Sequence, residues 1–207
     1  ADILPGPPSS DPYRLTNVGG VLFFSASDAY QGEELYRSDG TVRGTFRIRD
    51  INPGPQGGTP YGYVDLNGVA VFTATDGVHG VELWRSDGSF AGTQMLRDIY
   101  PVRNQGPSSV PHDMVALDTR LCFAANDGRH GVELWKSQGT VDSTAMVMDI
   151  RPGPASSDPR GLCSAQGRVF FTADNGDAGR GLWVTDGTLA GTSPVGDLRP
   201  GPDGEGP

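Results

Sequence analysis

The chain has 207 residues, including 31 glycines and 17 prolines, and its acidic side chains outnumber the basic ones to give a formal net charge of -9. Because binding to nucleic acid draws most of its affinity from lysine and arginine, this charge argues against a nucleic-acid partner. The sequence contains no apolar run near the ~20 residues that cross a bilayer, so membrane insertion is not expected.

The chain is built from four copies of one repeat. A short mixture of Glu, aromatic, Asp-Gly and hydroxyl residues recurs as GEELYRSDGTVRGT (32–45), GVELWRSDGSFAGT (80–93), GVELWKSQGTVDST (131–144) and GRGLWVTDGTLAGT (179–192). The aromatic residues at the shared position are spaced by 48, 51 and 48 residues, and they are Tyr36, Trp84, Trp135 and Trp183. A fixed period in this range indicates a solenoid, a propeller or another repeat array.

Each repeat predicts four short β-strands. The first segment, such as PYRLTNVGG (12–20), leads through a Gly-containing turn into an apolar segment, such as VLFFSASD (21–28). Adjacent apolar residues in this second segment indicate burial on both faces. In the third segment, which is the motif itself, the Leu and the neighbouring aromatic face opposite ways. The fourth segment, such as TFRIRDI (45–51), alternates apolar and polar residues as an outer edge strand does.

These segments predict an all-β fold, a β-propeller of four-stranded antiparallel blades with the strands in chain order from the axis outward. One repeat domain (11–207) is expected, with blades at about 11–58, 59–108, 109–156 and 157–204. Residues 1–10 repeat the blade-linking sequence and are expected to form a linker or closure segment. A closed four-bladed ring is favoured, and an excerpt of a larger propeller, an open β-array and a β-sandwich are the alternatives.

The repeat resembles that of the bacterial ELWxxDGT family, with ELYRSDGT, ELWRSDGS, ELWKSQGT and GLWVTDGT standing for the signature. The resemblance extends to the FFxAxD strand and the DIxPG linker, so it covers nearly the whole chain. Members of that family are large secreted or surface proteins, mostly without an assigned biochemical activity. The resemblance therefore implies a secreted or cell-surface location. Departures from the signature at Tyr36, Gln138 and Gly181 argue against a ligand contact made by all four copies.

Most of the motif itself is interpreted as scaffold. A large ring beside a Leu on a strand between sheets is expected to fill the gap between neighbouring blades. The Asp-Gly pair supplies the backbone conformation that a tight turn needs, so Asp39, Asp87 and Asp186 are expected to form turns. Gln138 can replace the Asp in the third copy because Gly139 remains.

The blade topology predicts two unequal faces. The loops between the second and third strands and the linkers between blades share one face, called here the linker face, and the short DGT turns lie on the opposite turn face. The linker face has the longer loops, where binding sites are usually built. Asp28, Asp76 and Asp127 recur in its loops, and four more aspartates end the fourth strands, at Asp50, Asp98, Asp149 and Asp197. Their oxygens could bind Ca²⁺ as a cofactor, or could accept hydrogen bonds from their own loops.

Other residues on the linker face are candidates for ligand binding. His79 and His130 are aligned with each other and, in the other copies, with Tyr30 and Ala178. Two histidines in adjacent blades give little support for a transition-metal site. The linker before blade 3 has three extra residues, including Arg103 and Asn104, and a loop that breaks the symmetry is a better candidate for specific recognition than a shared residue.

The chain has two cysteines, Cys122 and Cys163, which fall on predicted strands of consecutive repeats. The sequence allows either a disulfide or two buried thiols, since an even count permits one bond without requiring it.

Two functions fit these observations. The first is an extracellular binding or adhesion module that recognises carbohydrate or a protein surface, because several similar weak sites gain avidity on a multivalent surface. The second is a structural spacer of a surface protein, with or without calcium. Catalysis has little support: the pair Glu82 and Asp76 could be proposed for glycoside hydrolysis, but every copy offers a similar pair, and no catalytic motif is present.

Overall fold

The computed structural model describes residues 2–6, 8–101, 108–177 and 179–196. The first blade has strands β1 (Tyr13–Val18), β2 (Val21–Asp28), β3 (Gly32–Ser38) and β4 (Phe46–Arg49). The second has β5 (Tyr61–Leu66), β6 (Val69–Thr75), β7 (Val81–Ser86) and β8 (Gln94–Arg97). The third has β9 (His112–Leu117), β10 (Arg120–Asn126), β11 (Val132–Ser137) and β12 (Ala145–Met148). The fourth has β13 (Arg160–Ala165), β14 (Arg168–Asp174), β15 (Arg180–Thr185) and β16 (Ser193–Gly196).

Each set forms one antiparallel sheet in which the strands lie in chain order. This architecture confirms the prediction of an all-β propeller with four four-stranded blades, and each set lies inside the bounds expected for its blade. The described part of the chain contains no helix that is long and apolar enough to cross a membrane.

The hydrophobic core lies in the seams between consecutive blades. In the first seam, Leu35 and Ile48 of blade 1 pack with Phe72 and Trp84 of blade 2. The next two seams repeat this pattern, with Leu83 and Trp135 in the second seam and Leu134 and Trp183 in the third. Trp84, Trp135 and Trp183 are thus buried, as predicted, because each large ring fills the space beside the Leu of the preceding sheet. Tyr36 of blade 1 is also buried, but it packs with Phe24 and Ile3 instead.

The blades pack in series rather than as a closed ring. β1 contacts β5, β5 contacts β9 and β9 contacts β13, but among the described residues no contact of similar extent joins β13 to β1. Leu15 is 60% exposed, although Tyr63 and Met114 at the same place in blades 2 and 3 pack into a seam. Ala165 of blade 4 is exposed where Leu66 of blade 2 is buried. The favoured closed ring is therefore not formed by the described residues.

The motif glutamate holds the linker that leads to the next blade. Glu82 is fully buried and accepts hydrogen bonds from the N–H groups of Ile99 and Ser109 and from the Ser109 hydroxyl. Glu34 and Glu133 hold the following linkers in the same way. Burial is the main cause that raises the pKa of Glu34 to about 7, against the opposing effect of its N–H donors.

A cation on the third strand connects each of the first three blades to the next. The bonds run from the side chains of Arg37, Arg85 and Lys136 to the carbonyl oxygens of Gly88, Gly139 and Gly187. Blade 4 has Val184 at this place and Gly181 in place of the motif glutamate. The side of blade 4 that faces away from blade 3 thus lacks both the cation and the carboxylate that join the other blades. This is a physical reason why the described residues of blades 4 and 1 form no such seam.

Candidate functional site

The linker face is formed as the sequence predicts, by the linkers lying against the loops between second and third strands. The Gly58 carbonyl accepts a hydrogen bond from Thr75 N–H at 3.0 Å, and the same bond recurs in the next two blades. Gly32 approaches the backbone of Pro55 and Gly57 so closely that a side chain there would collide with it.

Each first strand begins on this face through two residues with left-handed backbone. One precedes a proline and the other is the second residue of the strand, with φ between 41° and 69°. The pairs are Asp11 and Arg14, Thr59 and Gly62, Val110 and Asp113, and Asp158 and Gly161. Such conformations are uncommon for residues other than glycine, and strained backbone clusters at ligand-binding sites.

A group of tyrosine and charged side chains lies at this end of the seam between blades 1 and 2. This Tyr–Arg cluster consists of Tyr13, Arg14, Glu33, Tyr61 and Tyr63. The Arg14 guanidinium carbon lies 4.9 Å from the Tyr13 ring centroid and 5.1 Å from that of Tyr61. Both distances fall within the range of a cation–π contact. The cluster therefore presents an arginine between two aromatic rings.

Buried polar contacts fix the base of the cluster. The Ser25 hydroxyl donates to the Pro60 carbonyl at 2.6 Å and lies 2.8 Å from the Tyr63 hydroxyl, while Arg14 Nη1 donates to the same carbonyl at 3.2 Å. Burial, followed by a hydrogen bond to Glu33, raises the pKa of Tyr13 to about 12. Burial also raises the pKa of Tyr63. Tyr13 and Tyr63 therefore stay neutral hydrogen-bonding groups near neutral pH.

The loop aspartates Asp28, Asp76 and Asp127 each shape their own loop. Asp76 Oδ1 accepts hydrogen bonds from the N–H groups of Val78 and His79, both at 2.9 Å. Asp28 and Asp127 accept the equivalent pairs of bonds. Burial would raise the pKa of Asp76, but its hydrogen bonds to His79 outweigh burial and lower it. Among the described residues no three His, Cys, Asp or Glu side chains are placed to share a metal ion. Calcium binding at these loops stays a prediction.

The two loop histidines are paired with these aspartates. His79 Nδ1 lies 2.7 Å from Asp76 Oδ2, and His130 Nδ1 lies 2.7 Å from Asp127 Oδ2. The hydrogen bond to Asp127 is the main cause that raises the pKa of His130. Each pair lies within one loop, so the two histidines are not brought together as ligands of one site by these contacts.

The alignment of Tyr30 with the histidines is wrong by one residue. Tyr30 N–H donates to Asp28 Oδ1 as Val78 N–H donates to Asp76 Oδ1, so Tyr30 corresponds to Val78 and Gln31 corresponds to His79. Tyr30 is 84% exposed at the tip of its loop. The sequence comparison matched residue types, whereas the hydrogen-bonding position relative to the aspartate decides the equivalence.

The aspartates that follow the fourth strands lie beside the buried glutamates. Those within the described residues are Asp50, Asp98 and Asp149, and their charges contribute to raising the pKa values of the glutamates. The Oδ1 atom of each is buried and has no hydrogen-bond partner among the described residues. Asp197, Arg103 and Asn104, which were also predicted site residues, lie outside the described residues.

The two cysteines are not bonded to each other. Cys122 is a buried free thiol and Cys163 is an exposed one. The disulfide alternative is therefore wrong, and the alternative of two buried thiols is right for Cys122 only. Leu162 packs towards blade 3, and Cys163, as the next residue on the strand, points to the other side of the sheet. The sheet of blade 4 thus lies between the two sulfur atoms. Burial raises the pKa of Cys122 to about 11.

The Tyr–Arg cluster was not predicted from the sequence, because the comparison of the four repeats used the residues that they have in common and the cluster is formed by residues that differ between them. The first strands begin with Tyr13-Arg14, Tyr61-Gly62, His112-Asp113 and Arg160-Gly161, and Glu33 replaces a Val found in copies 2 and 3. These differences at one end of one seam were the available signal. The three extra residues in the linker before blade 3 instead predicted a recognition site in that linker.

No protein-family model matches the sequence, and no curated protein matches it closely enough to count as a relative. Among solved structures, 90% of this chain aligns with 31% of a mutant puromycin hydrolase complexed with PGG, at 15% identity and a TM-score of 0.53. A second structure of puromycin hydrolase gives 91% and 29% coverage, 16% identity and the same TM-score. This chain thus spans less than a third of each puromycin hydrolase chain, and the likeness is one of fold.

An endo-arabinase from Bacteroides thetaiotaomicron aligns over 90% of this chain and 80% of its own, at 15% identity. Its TM-score of 0.38 is too low to support an argument about function.

Proposed function

We propose that this protein is an extracellular binding module that recognises carbohydrate through the Tyr–Arg cluster on the linker face. The observation that carries the proposal is the placement of Arg14 between the rings of Tyr13 and Tyr61 at the end of a blade seam. Tyrosine offers an apolar face and a polar tip, and binding sites combine such rings with a few fixed polar groups. The apolar face of a sugar ring can pack on the tyrosines while Arg14 donates to its oxygens.

A protein surface is the second candidate ligand. Tyrosine and arginine are also the residue types that dominate the binding energy of protein interfaces, so the same cluster would serve as an anchor. The four motif copies support our further proposal that the chain belongs with the ELWxxDGT repeats and acts outside the cell or on its surface.

We propose binding rather than catalysis. Glu82 and Asp76, the carboxylates that could be considered for hydrolysis, both have structural partners. Glu82 is fully buried beneath the linker, and Asp76 accepts hydrogen bonds within its own loop. Neither carboxylate belongs to the Tyr–Arg cluster.

Equilibrium binding to a glycan panel tests the proposal, with the wild type and the variants Tyr61→Ala and Phe90→Ala. Phe90 is the matched control because its exposed ring, on the turn face, also carries an arginine, with Arg49 at 4.9 Å. We expect Tyr61→Ala to weaken glycan binding by about tenfold or more, as loss of about 1–3 kcal/mol of ring contact would do. Phe90→Ala should bind as the wild type does.

Two results would contradict the proposal. If the wild type binds no glycan on the panel, the carbohydrate function fails and the spacer function is favoured. If Phe90→Ala weakens binding as much as Tyr61→Ala does, the site does not lie at the cluster.

A further inference from the structure

Arg14 forms no ion pair, in contrast to some other arginines in the described part of the chain. Four others form ion pairs with aspartates, and these are Arg47, Arg151, Arg160 and Arg180. Several more, like Arg14 itself, donate to carbonyl oxygens across a seam without an ion pair. The exposed Arg14 has no carboxylate oxygen within 4.0 Å among the described residues. The carboxylate of the cluster, Glu33, forms no ion pair with Arg14 and is hydrogen-bonded to Tyr13.

The backbone of Arg14 is also strained where glycine would be relaxed. Its φ is 56°; the equivalent residues are Gly62 and Gly161 in blades 2 and 4, with φ of 69° and 64°, and Asp113 in blade 3, with φ of 51°. This left-handed conformation is strained for a residue other than glycine. The strain is offset by contacts that place the guanidinium over the two tyrosines.

From these observations we propose that the ligand of the Tyr–Arg cluster is an acidic saccharide, whose sugar carboxylate binds the Arg14 guanidinium. The inference rests on the proposed function and names the class of carbohydrate. A guanidinium is planar and presents a fork of N–H donors that matches a carboxylate, forming two parallel hydrogen bonds. Arg14 uses Nη1 on the Pro60 carbonyl, and the tyrosine rings restrict its rotation, so little entropy is lost on binding.

The negative charge of the rest of the protein restricts binding of an anionic ligand to the site around Arg14. A net charge of -9 repels a polyanion over the surface as a whole. The affinity for an acidic sugar must therefore come from direct contact with Arg14 and from stacking on Tyr13 and Tyr61. This arrangement predicts selectivity for a single uronic-acid unit within a short oligosaccharide rather than adhesion to any anionic polymer.

The test is isothermal titration calorimetry with a trimer of galacturonic acid and, as its neutral match, a trimer of galactose. We expect the wild type to bind the acidic trimer about tenfold or more tightly than the neutral one, the gain of one charge-assisted contact.

Two variants of Arg14 separate binding from folding. Arg14→Lys keeps the charge but loses the planar fork, so it should reduce the preference for the acidic trimer about tenfold. Arg14→Gly takes the residue that is native at positions 62 and 161, so its melting temperature should stay close to that of the wild type while the preference disappears. Arg43→Lys, at an exposed arginine of the turn face, is the control and should change neither value.

The outcomes distinguish this inference from the function on which it rests. Equal affinity for the two trimers, or an unchanged preference in Arg14→Gly, overturns the acidic ligand and leaves carbohydrate binding intact. Tighter binding of a sulfated trimer than of the galacturonic acid trimer overturns the choice of a carboxylate. Absence of binding to both acidic and neutral sugars overturns the carbohydrate function itself.

Discussion

Individual residues explain why the motif tolerates change in its third copy. In three blades the motif Asp caps its own turn, as Asp87 Oδ1 does by accepting from the N–H and hydroxyl of Ser89. Any Cβ at Gly92 would collide with that carboxylate. In blade 3 the Ser143 hydroxyl instead accepts from Gln138 N–H at 2.9 Å. The exchange of Asp and Gly for Gln and Ser thus keeps one capping oxygen in the turn.

This exchange predicts strong coupling between positions 138 and 143. Gln138→Asp alone places a carboxylate against Ser143, and Ser143→Gly alone removes the capping hydroxyl, so each should lower the free energy of unfolding by about 1 kcal/mol. The double variant restores the arrangement of the other blades and should recover most of the loss. Urea unfolding of the four proteins measures the coupling, and strictly additive losses would contradict the account.

At this scale the sequence predicted the scaffold better than the site. Asp39, Asp87 and Asp186 form turns as expected, because an Asp before Gly acts through its immediate neighbours. Tyr13, Arg14 and Tyr61 meet only when two blades pack, so their grouping depends on distances that one repeat does not contain.

At the scale of the element, the third strand has a separate structural task at each position. In blade 2, Glu82 holds the linker, Leu83 packs into the seam with blade 3, and Trp84 packs into the seam with blade 1. Arg85 then reaches the turn of blade 3 through a hydrogen bond of 3.0 Å to the Gly139 carbonyl. The period-2 alternation predicted the opposite directions of Leu and Trp, but not the tasks of Glu and Arg, whose partners belong to other parts of the chain.

The cationic contact between blades leads to a prediction about stability. Replacing Arg85 by Ala removes a charged donor from the Gly139 carbonyl and should lower the free energy of unfolding by about 1–2 kcal/mol. Arg43→Ala, at an exposed turn residue, should change it by less than about 0.5 kcal/mol. Equal effects of the two substitutions in chemical denaturation would show that the contact does not stabilise the seam.

For the whole molecule, three buried glutamates predict how stability depends on pH. The folded-state pKa values of Glu34, Glu82 and Glu133 are raised above their usual value of 4.5. The stability they contribute is complete below that value and is lost as the pH rises towards the raised values, which for Glu34 is about 7. The lowered pKa values of Asp39, Asp87 and Asp186 act oppositely, since their contribution is lost in acid below 3.8.

Thermal unfolding should therefore give a higher melting temperature near pH 5 than near pH 8. The triple variant Glu34→Gln, Glu82→Gln, Glu133→Gln removes the titrating groups and should flatten this difference. His130, whose pKa is also raised, titrates in the same direction and is left intact in that variant. A melting temperature that rises from pH 5 to pH 8 in the wild type would contradict the assignment.

The whole molecule is also where sequence reasoning reached its limit. Length, period and strand pattern were sufficient to predict four antiparallel blades. Closure of the ring depends on whether the side of blade 4 that faces away from blade 3 fits blade 1. Gly181 and Val184 replace the glutamate and the cation that connect the other blades, and the role of those two positions is known only from the partners of Glu82 and Arg85 in the structure.

The central claim is that an acidic saccharide binds at the Tyr–Arg cluster on the linker face. Backbone amide chemical-shift mapping by NMR, with a saturating galacturonic acid trimer, tests it directly. We expect the largest shifts at Tyr13, Arg14 and Tyr61 and no shift on the turn face around Phe90. Shifts confined to the turn face, or no shift at any amide, would contradict it.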